Sequence, residues 1–367
     1  MTEGWQTRVA ARNRAIADAG QWRTIRTLDG PGPHFTLDDG RAIVSFASND
    51  YLGLSQHPAV AKAAAEALQQ WGTGSGSARL IVGSRPVHRE LEAELAAWKG
   101  AEAALLFPTG FAANLAVLTT FATDGVLVVS DELNHASIID GCRLSRGHVE
   151  IARHRDVEHV DALLAAHGGP AIVVTDTVFS MDGDEAPIEP VLAVCRRHDA
   201  LLVVDEAHAV LGPRVPEFPN VLRVGTLSKT LGSLGGFVTG PRAFVDLMVN
   251  AARPFIFTTA PTPADSAAAL AALRVLRSGE GDALVLRLRG HVERVAPGHP
   301  SPIVPIVLGD EQRAIDASTA LLEQHGLLVP AIRPPTVAPG TSRLRIALSA
   351  AHSDDEVDRL AKALVEL

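Results

Sequence analysis

The stretch that decides the fold is Leu-Leu-Val-Val-Asp-Glu-Ala-His, residues 201–208, in which four apolar residues are followed by carboxylates and an imidazole. Similar apolar runs lie at 126–130, 172–176 and 236–239, and stretches with helical spacing, such as 157–166, separate them. This alternation is typical of βαβ units, in which helices bury a parallel sheet. Ligands of open parallel sheets lie beyond the carboxyl ends of the strands. We therefore expect an α/β fold whose active site is built from strand ends.

The pattern changes at both ends of the chain. The N-terminal part has an Arg- and Ala-rich amphipathic helix, predicted over 5–19, and a hairpin signal around Asp38-Asp39-Gly40. Near the C-terminus, a strand, a helix, a second strand and a closing helix are typical of a small α+β domain. The sequence predicts three parts, which are an N-terminal arm over 1–47, a large domain over 48–276 and a small C-terminal domain over 277–367.

The overall composition argues against several classes of protein. The 33 Lys and Arg against 42 Asp and Glu give a net charge of −9, so no general basic field attracts nucleic acid or acidic lipid. No segment keeps about 20 apolar residues together, and the first residues lack the pattern of a secretory signal. Cys142 and Cys195 show no metal-binding spacing and are expected to be reduced packing residues. We expect a cytoplasmic protein with no metal site and no nucleic-acid or membrane partner.

The clearest chemical signal is Val-Gly-Thr-Leu-Ser-Lys-Thr-Leu-Gly at 224–232, in which Lys229 follows an apolar strand among small and hydroxyl residues. The neutral amine of a poorly solvated lysine can form a Schiff base. Asp205 can pair with a protonated ring nitrogen and His208 with a ring hydroxyl. Taken alone, Asp-x-x-His could equally belong to a metal site or a helix cap. Together, the three residues are what pyridoxal 5'-phosphate (PLP) requires.

Three further segments could contribute to a PLP site. Pro-Thr-Gly-Phe-Ala-Ala-Asn at 108–114 opens an apolar helix at Gly110, and the N-terminus of a helix favours an anion such as phosphate. His135 lies after a predicted strand, where its imidazole could stack on a planar ring. Ser180 begins a turn that puts a hydroxyl at the same edge. Alone, each is also consistent with an ordinary helix start, a capped histidine or an Asp-Gly turn.

These ordered motifs resemble the α-oxoamine synthases, which are PLP-dependent transferases of fold type I. The resemblance extends from Ser-Asn-Asp-Tyr-Leu-Gly-Leu at 48–54 to Arg-Leu-Arg at 343–345, nearly the whole chain. It implies a mainly parallel central sheet and a homodimer with shared active sites. Segments 111–114 and 332–337 are most similar to the branch that condenses L-alanine with a pimeloyl thioester, carried by CoA or an acyl carrier protein. The product of that branch is 8-amino-7-oxononanoate, a precursor of biotin.

The resemblance also implies roles for individual residues. Lys229 resembles the Schiff-base lysine, Asp205 the ring-nitrogen partner and His208 the ring-hydroxyl partner, and His135 resembles the stacking residue that completes the catalytic set. The other implied cofactor contacts are Gly110, Phe111, Ser180, Thr226, Thr258 and Thr259, the last two reaching the phosphate in the neighbouring subunit. The implied substrate contacts are Asn49, Thr336, Arg23 for the acyl group and Arg345 for the amino-acid carboxylate.

Two positions depart from the family pattern: Ala209 stands where glycine is usual, and segment 211–222 is short. Sister synthases that join glycine to acetyl-CoA or succinyl-CoA, or serine to palmitoyl-CoA, share the cofactor residues and remain alternatives. A non-catalytic partner subunit of the same fold is expected to lack a lysine at position 229. A dinucleotide-dependent dehydrogenase needs Gly-x-Gly-x-x-Gly, and segment 73–83 lacks the third glycine at that spacing.

Overall fold

The computed structural model describes residues 4–367, which form two compact units. The smaller unit comprises residues up to 45 together with 306–345, and the larger unit comprises 46–305 together with 346–367. The first three residues of the predicted arm lie outside the described residues, and the predicted division at 47 and 276 stays a prediction. Within residues 4–367, no helix has the length and apolar character needed to cross a bilayer.

The smaller unit begins with a helix and a hairpin. Its first elements are α1 (Trp5–Asp18), β1 (His34–Thr36) and β2 (Ala42–Ser45), and the two strands pair antiparallel. The predicted helix and hairpin are thus confirmed. No residue of α1 is buried, so within the described chain its apolar side chains stay in contact with solvent.

A seven-stranded sheet forms the centre of the larger unit. Its strands are β3 (Ala103–Phe107), β4 (Leu127–Asp131), β5 (His148–Ala152), β6 (Ala171–Asp176), β7 (Leu201–Asp205), β8 (Val221–Thr226) and β9 (Gly236–Gly240), in the spatial order β3-β9-β8-β7-β6-β4-β5. Strands β4 to β8 pair parallel, and β9 pairs antiparallel with both of its neighbours. The sequence run at 236–239 does not continue the parallel order, because only the short segment 227–235, with no crossover helix, connects β8 to β9.

Helices cover both faces of this sheet. The α-helices of the larger unit that precede the C-terminal part of the chain are α2 (Pro58–Trp71), α3 (Pro86–Lys99), α4 (Gly110–Phe121), α5 (Ala136–Leu144), α6 (Val157–His167), α7 (Ile188–Arg197), α8 (Arg242–Ala251), α9 (Arg253–Ile256), α10 (Pro263–Leu276) and α11 (Gly279–Val295). One core cluster includes residues of α4, α5 and α8, and a second includes residues of α6 and α7. The central strands β6 and β7 are buried at every position, as expected for a parallel sheet between helices.

The C-terminal part of the chain alternates strands and helices, as its pattern predicts. Its elements are β10 (Ile303–Gly309), α12 (Glu311–His325), β11 (Leu327–Leu328), β12 (Ala331–Ile332), β13 (Ser342–Ala347) and α13 (Asp354–Val365). Strands β10, β13 and β12 form one small sheet, and β11 joins β2 in another. The boundary between the two units falls within β10 and β13. Both cysteines are buried and unpaired, which confirms their predicted role in packing.

Candidate active site

A short series of polar side-chain contacts in the larger unit ends at the amine of Lys229, just beyond β8. The Nζ atom of Lys229 is 2.8 Å from Nε2 of His208, which follows β7. Nδ1 of His208 is 2.6 Å from the hydroxyl of Tyr51, and that hydroxyl donates to Oδ1 of Asn49 at 3.1 Å. Three residues singled out by the sequence, Lys229, His208 and Asn49, are therefore brought together. Tyr51 links them, because a buried tyrosine hydroxyl needs a polar partner.

Asp205, at the end of β7, has a carboxylate held by neutral donors. Its Oδ1 accepts a hydrogen bond from the backbone N–H of Ala207 at 2.8 Å, and its Oδ2 accepts from Nδ2 of Asn114 at 2.6 Å. Asn114 lies on α4 and is buried. These amide groups fix the carboxylate without cancelling its charge, so Asp205 can still pair with a positively charged ligand atom.

A second carboxyl group lies beside Asp205, at the end of the adjacent strand. Asp176 ends β6 and is the register partner of Asp205, and its Oδ2 accepts from the backbone N–H of His135 at 2.8 Å. Burial, and then the charge of Asp205, raise the pKa of Asp176 well above its ordinary range. The protonated form of Asp176 is therefore favoured, since two buried like charges at adjacent strand ends repel each other.

The N-terminus of α4 has the features of a phosphate site. Thr109 caps the helix by accepting a backbone N–H of the first turn on its Oγ1, and the other N–H groups of a first turn have no partner inside their helix. A Cβ on Gly236 would lie 2.5 Å from the nitrogen of Gly110, so the approach of β9 to this loop requires glycine. A Cβ on Gly110 would lie 3.3 Å from that of Thr226. Gly110 and Thr226 therefore adjoin, and Phe111 beside them is exposed.

His135 is the N-cap residue of α5, and its ring nitrogen is part of the cap. Nδ1 accepts from the backbone N–H of Ser137 at 3.2 Å and is 2.7 Å from Oγ of Ser137. Burial lowers the pKa of His135, although the nearby charge of Asp205 opposes this. His135 therefore favours the neutral form, which suits a ring that stacks on a planar cofactor.

Another histidine joins the neighbouring strand ends. Nδ1 of His154, just after β5, is 2.9 Å from Asp131, and its Nε2 is 2.9 Å from Asp184. Burial disfavours its charge, but the hydrogen bonds to the two carboxylates outweigh this and raise the pKa of His154 to about 9. We name these three residues the His154 clamp. Because Asp184 closes the turn that begins at Ser180, the clamp fixes the segment that carries this predicted cofactor contact.

Three of the predicted substrate residues belong to the smaller unit. Arg345 lies in β13 and is buried, and its backbone N–H donates to the carbonyl of Pro330 at 3.0 Å. Arg23 and Thr336 are exposed. Arg23 lines a cavity of about 440 Å³ whose other lining residues are Arg12, Ile16, Gln21, Trp22 and Pro335.

The predicted threonine pair follows α9 in the larger unit. Thr258 is half-buried and Thr259 is exposed. Their contact with a neighbouring subunit stays a prediction.

The chain contains four lysines, at positions 62, 99, 229 and 362. Lys62 is exposed and 3.7 Å from Glu66. Lys99 forms an ion pair with Glu206 at 2.8 Å and lies 3.8 Å from the centre of the Trp98 ring. Lys229 is therefore the lysine that lies beside an imidazole at the strand ends.

The residues of this edge fit PLP. A lysine amine, a carboxylate held by amides, an imidazole and the capped start of a helix correspond to the aldehyde, ring nitrogen, ring hydroxyl and phosphate of that cofactor. Gly110 and Gly236 leave the space that a Cβ would fill beside the helix start. All of these groups lie in the larger unit.

Comparison with known proteins places the chain in a family. The profile of the family described as aminotransferase class I and II matches residues 41–364. The chain belongs to this family. It is 48% identical to an 8-amino-7-oxononanoate synthase of Methylobacterium sp. (strain 4-46), over 98% of this chain and 96% of the relative. It is 47% identical to the synthase of that name from Anaeromyxobacter dehalogenans, over 99% and 96% of the two chains.

Solved structures agree with this assignment. A serine palmitoyltransferase of S. paucimobilis with bound PLP and myriocin superposes with a TM-score of 0.89 at 28% identity, covering 98% of this chain and 97% of the other. The 8-amino-7-oxononanoate synthase of Francisella tularensis superposes with a TM-score of 0.73 at 26% identity, covering 88% and 96%. These findings confirm the predicted fold class, the enzymatic nature and PLP dependence of the family, and the resemblance to the α-oxoamine synthases.

Sequence reasoning missed four residues of the candidate site. Tyr51, Asn114, Ser137 and Asp176 all lie within motifs or strand ends that stood out, but the partners of Tyr51 and Asn114 are far along the chain. Tyr51 and His208 are 157 residues apart, and Asn114 and Asp205 are 91 apart. Only Asp176 had a usable signal, because it ends an apolar strand in the same way as Asp205.

Proposed function

We propose that this chain catalyses the PLP-dependent, decarboxylative condensation of L-alanine with a pimeloyl thioester, giving 8-amino-7-oxononanoate, CO₂ and free thiol. The observation that carries the proposal is the 2.8 Å contact between Lys229 and His208, beside the amide-held carboxylate of Asp205. The curated relatives at 46–48% identity that carry the name of this synthase support the choice of reaction.

Bound PLP supplies an aldehyde for the amino group of the substrate and a ring that takes up the electron pair left at Cα. Lys229 would hold the aldehyde, Asp205 would keep the ring nitrogen protonated and His208 would form a hydrogen bond with the ring hydroxyl. His135 would stack on the ring. The start of α4 at Gly110 and Phe111 would bind the phosphate, with Thr226, Ser180 and, from the neighbouring subunit, Thr258 and Thr259.

Lys229 also acts as the base of the reaction. With PLP bound, the amine of Lys229 would be placed to remove the α-proton of alanine and later to return a proton to the product. His208 lies at hydrogen-bond distance from this amine and orients it. Because His208 is in turn held by Tyr51, the amine has a fixed neighbour during the transfer.

The substrates are assigned by charge and shape. Arg345 binds the carboxylate of alanine, and Asn49 and Thr336 line the substrate. A pimeloyl group is an apolar chain that ends in a carboxylate, and the cavity at Arg23 combines that arginine and Arg12 with the apolar side chains of Ile16 and Trp22. A cavity that combines cations with apolar side chains favours such a chain over a simple fatty acyl group.

We propose further that the enzyme is a cytoplasmic homodimer. Leu80, Ile81 and Val82 form an exposed apolar run in the larger unit, and Phe257 beside the threonine pair is 70% exposed, as expected for residues that a second copy would cover. Two buried, unpaired cysteines fit a reducing compartment. Sedimentation should show a dimer that Ile81→Glu converts to monomer. If Ile81→Glu stays a dimer, this surface is not the dimer interface.

Thiol release by the PLP-loaded protein tests the reaction. We expect release with L-alanine and pimeloyl-CoA or a pimeloyl carrier protein, and none with glycine plus acetyl-CoA or with L-serine plus palmitoyl-CoA. Release with the glycine pair or the serine pair, and not with the alanine pair, would assign the chain to a sister reaction. With PLP bound, no release from any pair would contradict the proposal.

A further inference from the structure

We propose that Asn114 and Ser137 are positioning residues that fix the orientation and the tautomer of His135 through hydrogen bonds anchored on Asp205. The proposal rests on the proposed function for the roles of His135 and Asp205. It adds that these two residues, which stack on the ring and pair with its nitrogen in that function, are held as one rigid unit.

The first link is the side-chain amide of Asn114. Nδ2 is 2.6 Å from Oδ2 of Asp205 and 2.9 Å from Oγ of Ser137. A carboxylate accepts hydrogen bonds and repels an amide oxygen, so the charge of Asp205 decides which way the amide faces. Both N–H bonds of the amide are thereby used, one towards Asp205 and one towards Ser137. Asn114 is 1% exposed, so no bulk water competes for them.

The second link is the hydroxyl of Ser137. Because its oxygen accepts from Asn114, its own proton points elsewhere, and Nδ1 of His135 lies 2.7 Å away. Ser137 is also buried, at 1% exposure. Because Nδ1 also accepts the backbone N–H of Ser137, the hydroxyl donates to Nδ1 of His135. A hydroxyl can accept one hydrogen bond and donate another, so the donor-to-acceptor direction set at Asp205 continues through Ser137 to His135.

The ring of His135 is the last member of this series of hydrogen bonds. Its Nδ1 also accepts the backbone N–H of Ser137 at 3.2 Å, and a backbone N–H can only donate. Two donors facing Nδ1 require an unprotonated nitrogen there, so the neutral ring carries its proton on Nε2. His135 can consequently donate a hydrogen bond from Nε2, to a substrate oxygen for example, but cannot accept one there.

Nitrogen NMR of the cofactor-free, full-length protein tests the tautomer directly. With ¹⁵N-labelled histidine, the signals of residue 135 are assigned by their loss in His135→Asn. We expect an unprotonated Nδ1 and a protonated Nε2 at neutral pH. A proton on Nδ1, or a doubly protonated ring, would overturn the proposal. This measurement involves no reaction, so it stands even if thiol release disproves the proposed function.

Removal of the hydroxyl tests the link to catalysis. In Ser137→Ala we expect a mixture of His135 tautomers and a fall in kcat of about tenfold with little change in KM for alanine. In the His135→Asn background the same substitution should cost less than about twofold, because the residue it positions is gone. Equal losses in both backgrounds, or an unchanged tautomer in Ser137→Ala, would contradict a positioning role.

Ser145→Ala is the matched control. Ser145 follows the same helix, and its hydroxyl donates to the carbonyl of Cys142 at 2.8 Å, so the substitution removes a comparable hydrogen bond away from the site. It should leave both kcat and the His135 signals unchanged. A loss equal to that of Ser137→Ala would show that the effect comes from α5 in general. The wild-type NMR result decides the tautomer even if Ser137→Ala does not fold.

Discussion

Asp and His residues gather twice at the carboxyl edge of the same sheet, in the centre and on the flank. In the centre, Asp205 is held by two amide groups, and His208 contacts the amine of Lys229. On the flank, His154 lies between Asp131 and Asp184, with 2.9 Å contacts to both. The residue types are the same in the two regions. Only the flank has each carboxylate paired with a cation of the protein.

The difference separates a chemical site from a structural one. In the His154 clamp the charges cancel within the protein, and the result is a fixed loop. The donors of Asp205 are neutral amides, so its negative charge remains for a ligand. Asp and His at strand ends therefore do not identify an active site by themselves. What matters is whether the protein already supplies the counter-charge.

The largest effect is expected from Lys229→Ala, which removes both the aldehyde partner and the base. We expect kcat to fall by about 10⁴-fold or more, with an unfolding midpoint close to that of the wild type. Lys62→Ala, at an exposed lysine 3.7 Å from Glu66, is the control and should retain full activity. A substantial residual rate in Lys229→Ala would show that the central region is not the active site.

The same substitution in the two regions should have opposite consequences. Asp205→Asn removes the charge that pairs with the ring nitrogen, so kcat should fall by about 10²–10⁴-fold with little loss of thermal stability. Asp184→Asn weakens the His154 clamp, so it should lower the unfolding midpoint and change kcat by less than about threefold. Activity assays and thermal unfolding of both variants check this. The reverse pattern would show that the flank is the chemical region.

A smaller effect, with a defined pH dependence, is expected from His154→Gln. Because folding raises the pKa of His154 from 6.5 to about 9, the stabilising charge is fully present below pH 6.5 and is lost as the pH rises through 9. The difference in unfolding free energy should be about 1–2 kcal/mol at low pH and vanish at high pH. His148→Gln, which changes an exposed histidine of β5 beside Glu150, should show no such trend. A pH-independent difference would contradict the clamp.

Of the two central carboxyl groups, Asp176 is expected to show the smaller effect on activity when it is replaced by asparagine. Because burial and the charge of Asp205 favour the neutral form of Asp176, an amide replaces it without loss of charge. Its oxygen can still accept from the backbone N–H of His135, so kcat and the dissociation constant of PLP should change by less than about tenfold. Asp176→Ala is the comparison and should weaken PLP binding more. A loss as large as that of Asp205→Asn would mean that both carboxylates are needed in charged form.

The sequence predicts the central region better than its surroundings, for a physical reason. An apolar strand with a carboxylate and an imidazole at its end, as at 201–208, is a local pattern, and so is the small-residue setting of Lys229. The direction of β9 is not local, because it depends on the connection from β8. Nor are Tyr51 and Asn114 readable as site residues, since their hydrogen bonds reach partners 157 and 91 residues away. The roles of Arg23 and Thr336 as substrate residues are predictions from resemblance alone.

The most direct test is to find which lysine binds the cofactor. Borohydride reduction of the PLP-loaded protein, followed by digestion and mass spectrometry, fixes the cofactor to its lysine, and the chain has only four. We expect the added mass on the peptide containing Lys229 and on no other. Modification of Lys62, Lys99 or Lys362 instead, or no fixed cofactor at all, would contradict the placement of the active site at the carboxyl ends of β7 and β8.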